Sequence, residues 1–136
     1  MSLTVYRKSH FNAAHRLYKK EWTDQENFDF FGKCSNPNYH GHNYELEVGV
    51  TGEIDESTGF LMDMNLLREL IDEEVVEAFD HKNLNLEVPE FKTLNPTMEN
   101  IAMVIWSKLR KRIDKELKIT VKLYETPRNY VVFKGK

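Results

Sequence analysis

Two stretches of this chain alternate apolar and polar residues with a period of two, and two others repeat at the spacing of a helix face. Tyr44, Leu46, Val48 and Val50 alternate with residues that include Glu45 and Glu47, the pattern of a strand buried on one side. Ile119, Val121 and Leu123 do the same within Lys118 to Glu125. Met64, Leu67, Leu70, Ile71, Val75 and Ala78 form a helical stripe. Ile101, Val104, Ile105, Leu109 and Ile113 form another, with Lys108, Arg110, Lys111 and Arg112 on the opposite side.

From these stripes the elements follow. Thr4 to Arg16 is extended, because Val5, Tyr6, Phe11, Ala13 and Ala14 suit a strand and no helical stripe runs there. A short helical turn is predicted from Gln25 to Phe31, capped by Asp24 and ended by Gly32. The second strand runs from about His40 to Ile54, and Asp55 to Gly59 is a turn by composition. Phe60 to Met62 suits a brief pairing. A helix then starts at Asp63 or Asn65, either of which can cap it, and ends near Phe79. Asp80 to Leu86 reads as a loop. Asn95 and Pro96 offer a cap and a first-turn proline to the second long helix. Thr126 to Asn129 turns the chain into a last strand, Tyr130 to Phe133, closing a hairpin. The order β, β, α, α, β, β predicts an α+β fold: a four-stranded antiparallel sheet with two helices between its strand pairs. Open sheet edges in so small a domain predict an oligomer.

Candidate chemistry gathers between Cys34 and Tyr44, which reads C-S-N-P-N-Y-H-G-H-N-Y. His40 and His42 share the register of the apolar set, so both imidazoles point to the buried face, with Cα atoms roughly 6.6 Å apart. Two rings can meet on one metal across that gap; two hydrogen-bonded interface histidines would look the same. A third ligand has to come from elsewhere. His10 and His15 face opposite sides of an unbulged strand, so only one of them can join. Cys34 is either a small buried hydrophobe or, beside a metal and a histidine, a thiol of lowered pKa. Asp80 and His81 form either a loop pair or a proton-transfer dyad. Glu125 shares the face of Val121 and Leu123, where a carboxylate is costly without a donor. Glu99, in the first turn of a helix, is accounted for by the macrodipole alone.

Composition narrows the class. With 136 residues the chain is read as one domain, 1–136. A net charge of −3 argues against a nucleic-acid surface. One cysteine allows no internal disulfide, which points to a reducing compartment. No apolar run approaches membrane-spanning length and MSLTVYRKSH has no signal-peptide core. The expected location is the cytoplasm.

Six motifs, in order along nearly the whole chain, resemble the 6-pyruvoyltetrahydropterin synthase family, together with its 6-carboxytetrahydropterin synthase branch. They are F-N-A-A-H-R-L from Phe11, F-G-K-C-S-N-P-N-Y-H-G-H-N-Y from Phe31, G-E-I-D-E-S-T-G-F from Gly52, D-H-K-N-L from Asp80, P-T-M-E-N from Pro96 and Y-E-T from Tyr124. The resemblance implies the tunnelling fold, in which sheets join in a ring and two trimers stack into a hexamer. It implies Zn2+ on His15, His40 and His42, with His15 rather than His10 as the third ligand. It implies Cys34, Asp80 and His81 as the catalytic proton-transfer group, and Glu125 as the residue that holds the pterin ring, with Thr97 and Glu99 nearby. The implied substrate is 7,8-dihydroneopterin triphosphate, converted to 6-pyruvoyltetrahydropterin for tetrahydrobiopterin-type pathways by a lyase that eliminates triphosphate. The alternative is the branch that makes 6-carboxytetrahydropterin for queuosine and other deazapurines, releasing acetaldehyde. A non-catalytic zinc or pterin-binding protein is a further alternative. Arg16, Lys33 and Lys82 are candidates for the triphosphate. Tyr39 stands where the family often has glycine, and Met98 where it has a small hydroxyl residue.

Overall fold

The computed structural model describes residues 2–135. Its centre is a long antiparallel pair. β1 (Leu3–His15) and β2 (His40–Gly52) pair along their whole length, from Leu3 opposite Gly52 to His15 opposite His40. β4 (Lys118–Tyr124) lies antiparallel on the other side of β2, and β5 (Tyr130–Phe133) folds back on β4 as the predicted hairpin. The fold is α+β, but the sheet is mixed and has five strands rather than four, in the order β3-β1-β2-β4-β5. The extra strand, β3 (Lys82–Asn83), runs parallel to β1 beside Ala13 and Ala14. It arises inside the expected loop because His81 N–H donates to Asn12 O at 2.6 Å, drawing the chain onto the free edge of β1. α4 (Leu84–Glu87) follows directly. Phe60 to Met62 forms no strand, and β2 stops at Gly52, short of Ile54.

Local chemistry sets the helix ends. α1 (Asp24–Phe31) is capped by Thr23, not Asp24. Thr23 Oγ1 accepts from Glu26 N–H while Glu26 returns a bond to Thr23 N–H, a reciprocal capping box. Gly32, at φ 64°, ends it as expected. α2 (Met64–Ile71) is capped by Asp63 and runs through a π-helical turn, Asp72–Val76, into α3 (Glu77–Phe79). α5 (Met98–Arg110) starts later than expected, with Thr97 as cap. Asn95 and Pro96 stay outside it: Asn95 Oδ1 accepts from Tyr18 N–H and the Pro96 carbonyl turns toward His15. Ile113 is buried but lies beyond the end of α5.

One core joins the sheet to these helices. Phe11 and Ala13 of β1, Tyr44 to Val50 at alternate positions of β2, and Ile119, Val121 and Leu123 of β4 meet Leu67, Ile71, Val75, Phe79, Ile101, Ile105 and Leu109. Each Val, Leu, Ile or Phe side chain among them contributes about 1.5–3 kcal/mol on burial. Phe11 stacks on Tyr44 with ring centroids 4.9 Å apart. This stack continues the buried face toward the end of the strand pair, where the histidines lie. No described helix is long and apolar enough to cross a membrane.

Candidate active site

The pairing of β1 with β2 sets His15 opposite His40 and Ala13 opposite His42. All four therefore share one face, and the small Ala13 leaves room beside His42. His10 lies outside the cluster. The three rings form a near-equilateral triangle, with centroids 4.6, 5.1 and 5.0 Å apart, and one nitrogen of each lies within 4.8 Å of the others. His15 Nε2, both nitrogens of His40 and His42 Nε2 are buried without a hydrogen-bond partner among the described residues. Buried nitrogens left orphaned at such close range could hold a metal ion. His15 Nδ1–H donates to Pro96 O at 2.8 Å, which directs the Nε2 lone pair into the cluster. Tyr44 Oη stands 3.3 Å from the same Nδ1. Burial, with a smaller contribution from the neighbouring imidazoles, lowers the His15 pKa to about 4 despite the Pro96 bond. Burial also pulls His40 and His42 down. Neutral imidazole is the form that binds metal.

Two acids approach from β4 and α5. Glu125, just past β4, places Oε1 3.9 Å from His42 Nε2 and Oε2 4.0 Å from His15 Nε2. Burial raises its carboxyl pKa, with His40 pulling the other way and Glu99 adding to the rise. Glu99 is exposed and reaches Glu125 through its field. The Thr97 hydroxyl accepts from Asn100 N–H at 3.2 Å, so it is the cap of α5 as well as a neighbour of the site.

Cys34 sits in a 3-10 turn, Gly32–Ser35, stapled to the end of β1: Leu17 N–H donates to Cys34 O and Arg16 Nε to Ser35 O. In the metal-free chain two effects act on the Cys34 thiol pKa in the same direction. Burial raises it first, and the Glu125 carboxylate raises it further. Tyr44 is raised too, by burial and then by Glu125 and Cys34, which places thiol, phenol and carboxyl in one another's fields.

Asp80 and His81 are held elsewhere, at the outer edge of β1. Asp80 Oδ1 accepts from Asn12 N–H and Oδ2 from His81 Nδ1–H, both at 2.8 Å. These bonds, Asn12 first, hold the Asp80 carboxyl below its usual range, and His10 adds to the effect. His81 adopts a left-handed φ of 60° and its side chain is 83% exposed. Among the described residues, neither Asp80 nor His81 touches Cys34 or the three-histidine cluster. Arg16 and Lys33 line a cavity of about 520 Å³ with Asp24, Phe28 and Ser35. Lys82 lies apart, its Nζ on the carbonyl of Glu77. Tyr39, at φ 67°, occupies a backbone conformation that favours glycine. Tyr44 and Pro96 were not singled out from sequence. The period of two that gave His40 and His42 also passes through Tyr44, but a backbone carbonyl such as that of Pro96 has no sequence signal.

The sequence matches the family model described as 6-pyruvoyl tetrahydropterin synthase over residues 4–136. The chain belongs to the 6-pyruvoyl tetrahydropterin synthase family. Among its relatives, 6-pyruvoyl tetrahydrobiopterin synthase of Pongo abelii is 48% identical over 131 residues, 96% of this chain and 90% of that protein. The enzyme of Homo sapiens is 47% identical with the same coverage. The structure of Caenorhabditis elegans 6-pyruvoyl tetrahydropterin synthase superposes with a TM-score of 0.94 at 38% identity, covering 100% of this chain and 97% of that one. Membership of this family makes the chain an enzyme, a lyase.

Proposed function

We propose that the chain converts 7,8-dihydroneopterin triphosphate to 6-pyruvoyltetrahydropterin, eliminating triphosphate, with Zn2+ held by His15, His40 and His42. The observation that carries this reading is the triangle of neutral imidazoles with orphaned nitrogens, beside Cys34 and Glu125, in a chain of this family. Zinc, when bound, supplies a Lewis acid that polarises a side-chain oxygen of the substrate. His15, fixed by Pro96, and the register of β2 hold its ligands. Cys34 takes a proton from a side-chain carbon of the substrate. Asp80 orients His81 through Nδ1, leaving Nε2 to accept or return a proton. Glu125, with Glu99 behind it, faces the N–H and amino donors of the pterin ring. The loss of triphosphate is an elimination, and the rest is proton movement within the substrate, so no external oxidant or reductant is needed.

Within one chain His81 points to solvent, and we place it against Cys34 of a neighbouring subunit in a homo-hexamer. Arg16 and Lys33 are the cations best placed for the triphosphate, since both line the cavity next to Cys34. The deciding experiment is mass analysis of the product from 7,8-dihydroneopterin triphosphate together with triphosphate release. A 6-pyruvoyl product with stoichiometric triphosphate is expected. A 6-carboxy product with acetaldehyde would move the chain to the other branch, and no turnover would leave a binding protein.

A further inference from the structure

Tyr44 is 0% exposed, yet it carries a hydroxyl into the core. Its stack on Phe11, with centroids 4.9 Å and planes 16° apart, needs only the ring. The imidazoles of His15 and His42 meet that ring steeply, at 89° and 72°, with centroids 6.2 and 5.7 Å away. Tyr44 therefore packs against two of the three clustered histidines. A phenol taken out of water is costly unless its oxygen finds a partner. Among the described residues that partner is His15 Nδ1, 3.3 Å from Tyr44 Oη. The same nitrogen lies 2.8 Å from Pro96 O. A carbonyl oxygen only accepts, so Nδ1 carries the proton. Tyr44 Oη is then the second acceptor of one shared N–H. The two acceptors come from different elements. Pro96 lies in the loop before α5, whereas Tyr44 follows His42 on the same face of β2 and is fixed there by Phe11. An imidazole held by one bond can swing about it; two acceptors from two elements fix the ring plane and the direction of Nε2.

We propose that Tyr44 is a positioning residue of the metal centre: its hydroxyl oxygen accepts from His15 Nδ1–H and keeps Nε2 turned toward His40 and His42. It acts through His15 and touches neither metal nor substrate. The proposal rests on the three-histidine metal reading above, not on the reaction. Pro96 alone would tie His15 to the loop that also carries Thr97. Tyr44 ties it to the sheet that carries the other two ligands, so the three nitrogens keep their mutual places when that loop shifts.

The test uses the whole chain with cobalt(II) in place of zinc and no substrate. Cobalt affinity is measured by competition with a chromophoric chelator, and coordination by the visible absorption bands. Tyr44→Phe removes the oxygen and keeps the stack on Phe11. It is expected to bind cobalt about tenfold or more weakly and to alter the bands, while the urea midpoint of the metal-free protein stays near that of the wild type. A purely structural hydroxyl would do the reverse. A lowered midpoint with wild-type affinity and bands would overturn the proposal, and so would a variant that matches the wild type throughout. No cobalt uptake by the wild-type chain would overturn the metal reading and the proposal with it. One measurement needs no variant. In the wild-type protein labelled with 15N-histidine, the His15 Nδ1 proton should show a nuclear Overhauser contact with the Tyr44 ring protons beside the hydroxyl. Its absence would overturn the proposal even if Tyr44→Phe failed to fold.

Discussion

His15 is buried yet ionisable, and it makes the site sensitive to acid. Its folded pKa of about 4 lies below the 6.5 of an unperturbed histidine. Above pH 6.5 both folded and unfolded chains carry it neutral. Between 6.5 and about 4 the unfolded chain takes up a proton that the folded chain refuses, so stability falls as pH falls through that window. For one group this amounts to about 3 kcal/mol at most. Urea midpoints of the metal-free protein should drop from neutral pH to about pH 4.5. The drop should shrink in His15→Gln, and an equal drop in both would assign it to other groups. His42→Ala should lose most of the metal, measured by elemental analysis, because two imidazoles seldom suffice. Cys34→Ala should keep metal content and pterin affinity while turnover falls about a hundredfold or more. If it loses the zinc instead, the thiol is a ligand. His40 and His42 were legible as a pair from the period of two. The choice of His15 over His10 was not, because their opposite facing excludes one of them without saying which.

At the scale of elements, the long strands and helices were legible because each buries a continuous apolar stripe. The ends and the shortest pieces were not. Adjacent capping residues compete at both misplaced helix starts: Thr23 beside Asp24, and Thr97 beyond Asn95-Pro96. At the first, the T-x-x-E spacing of Thr23 and Glu26 was the deciding signal, since it satisfies two orphan donors at once. β3 has two residues and follows no periodic pattern; tertiary bonds from Asp80 and His81 to Asn12 bring it against β1. Thr97 tests whether a helix cap also serves the site. It precedes α5 directly and follows Pro96, whose carbonyl fixes His15. Thr97→Ala should destabilise the protein by about 1 kcal/mol, and Thr97→Ser should restore it. An unchanged urea midpoint in Thr97→Ala would mean that the cap is dispensable.

At the scale of the whole molecule the sheet ends on two unfinished edges. β5 leaves Tyr130 and Val132 exposed on one side. On the other, β3 covers only the Ala13–Ala14 part of β1 and Asp80 and His81 occupy Asn12, so residues 3–11 keep an open edge among the described residues. Unpaired edges of that length invite pairing between subunits, and light scattering should show a hexamer at all working concentrations. A monomer would rule out the ring. The assembly also bears on catalysis, because Asp80 and His81 sit on the open β1 edge while Cys34 sits beside the three histidines. If His81 of one subunit serves Cys34 of the next, two inactive variants can repair each other. Cys34→Ala chains keep a good His81, and His81→Ala chains keep a good Cys34. Random co-assembly pairs a good Cys34 with a good His81 at about one site in four. Co-expressed Cys34→Ala and His81→Ala chains should therefore recover about a quarter of wild-type turnover, while each alone stays nearly inactive. If both groups came from the same chain, every site in the mixture would lack one of them. Mixed hexamers, verified by two affinity tags, with no turnover above the separate variants would then place the whole proton-transfer group within one subunit.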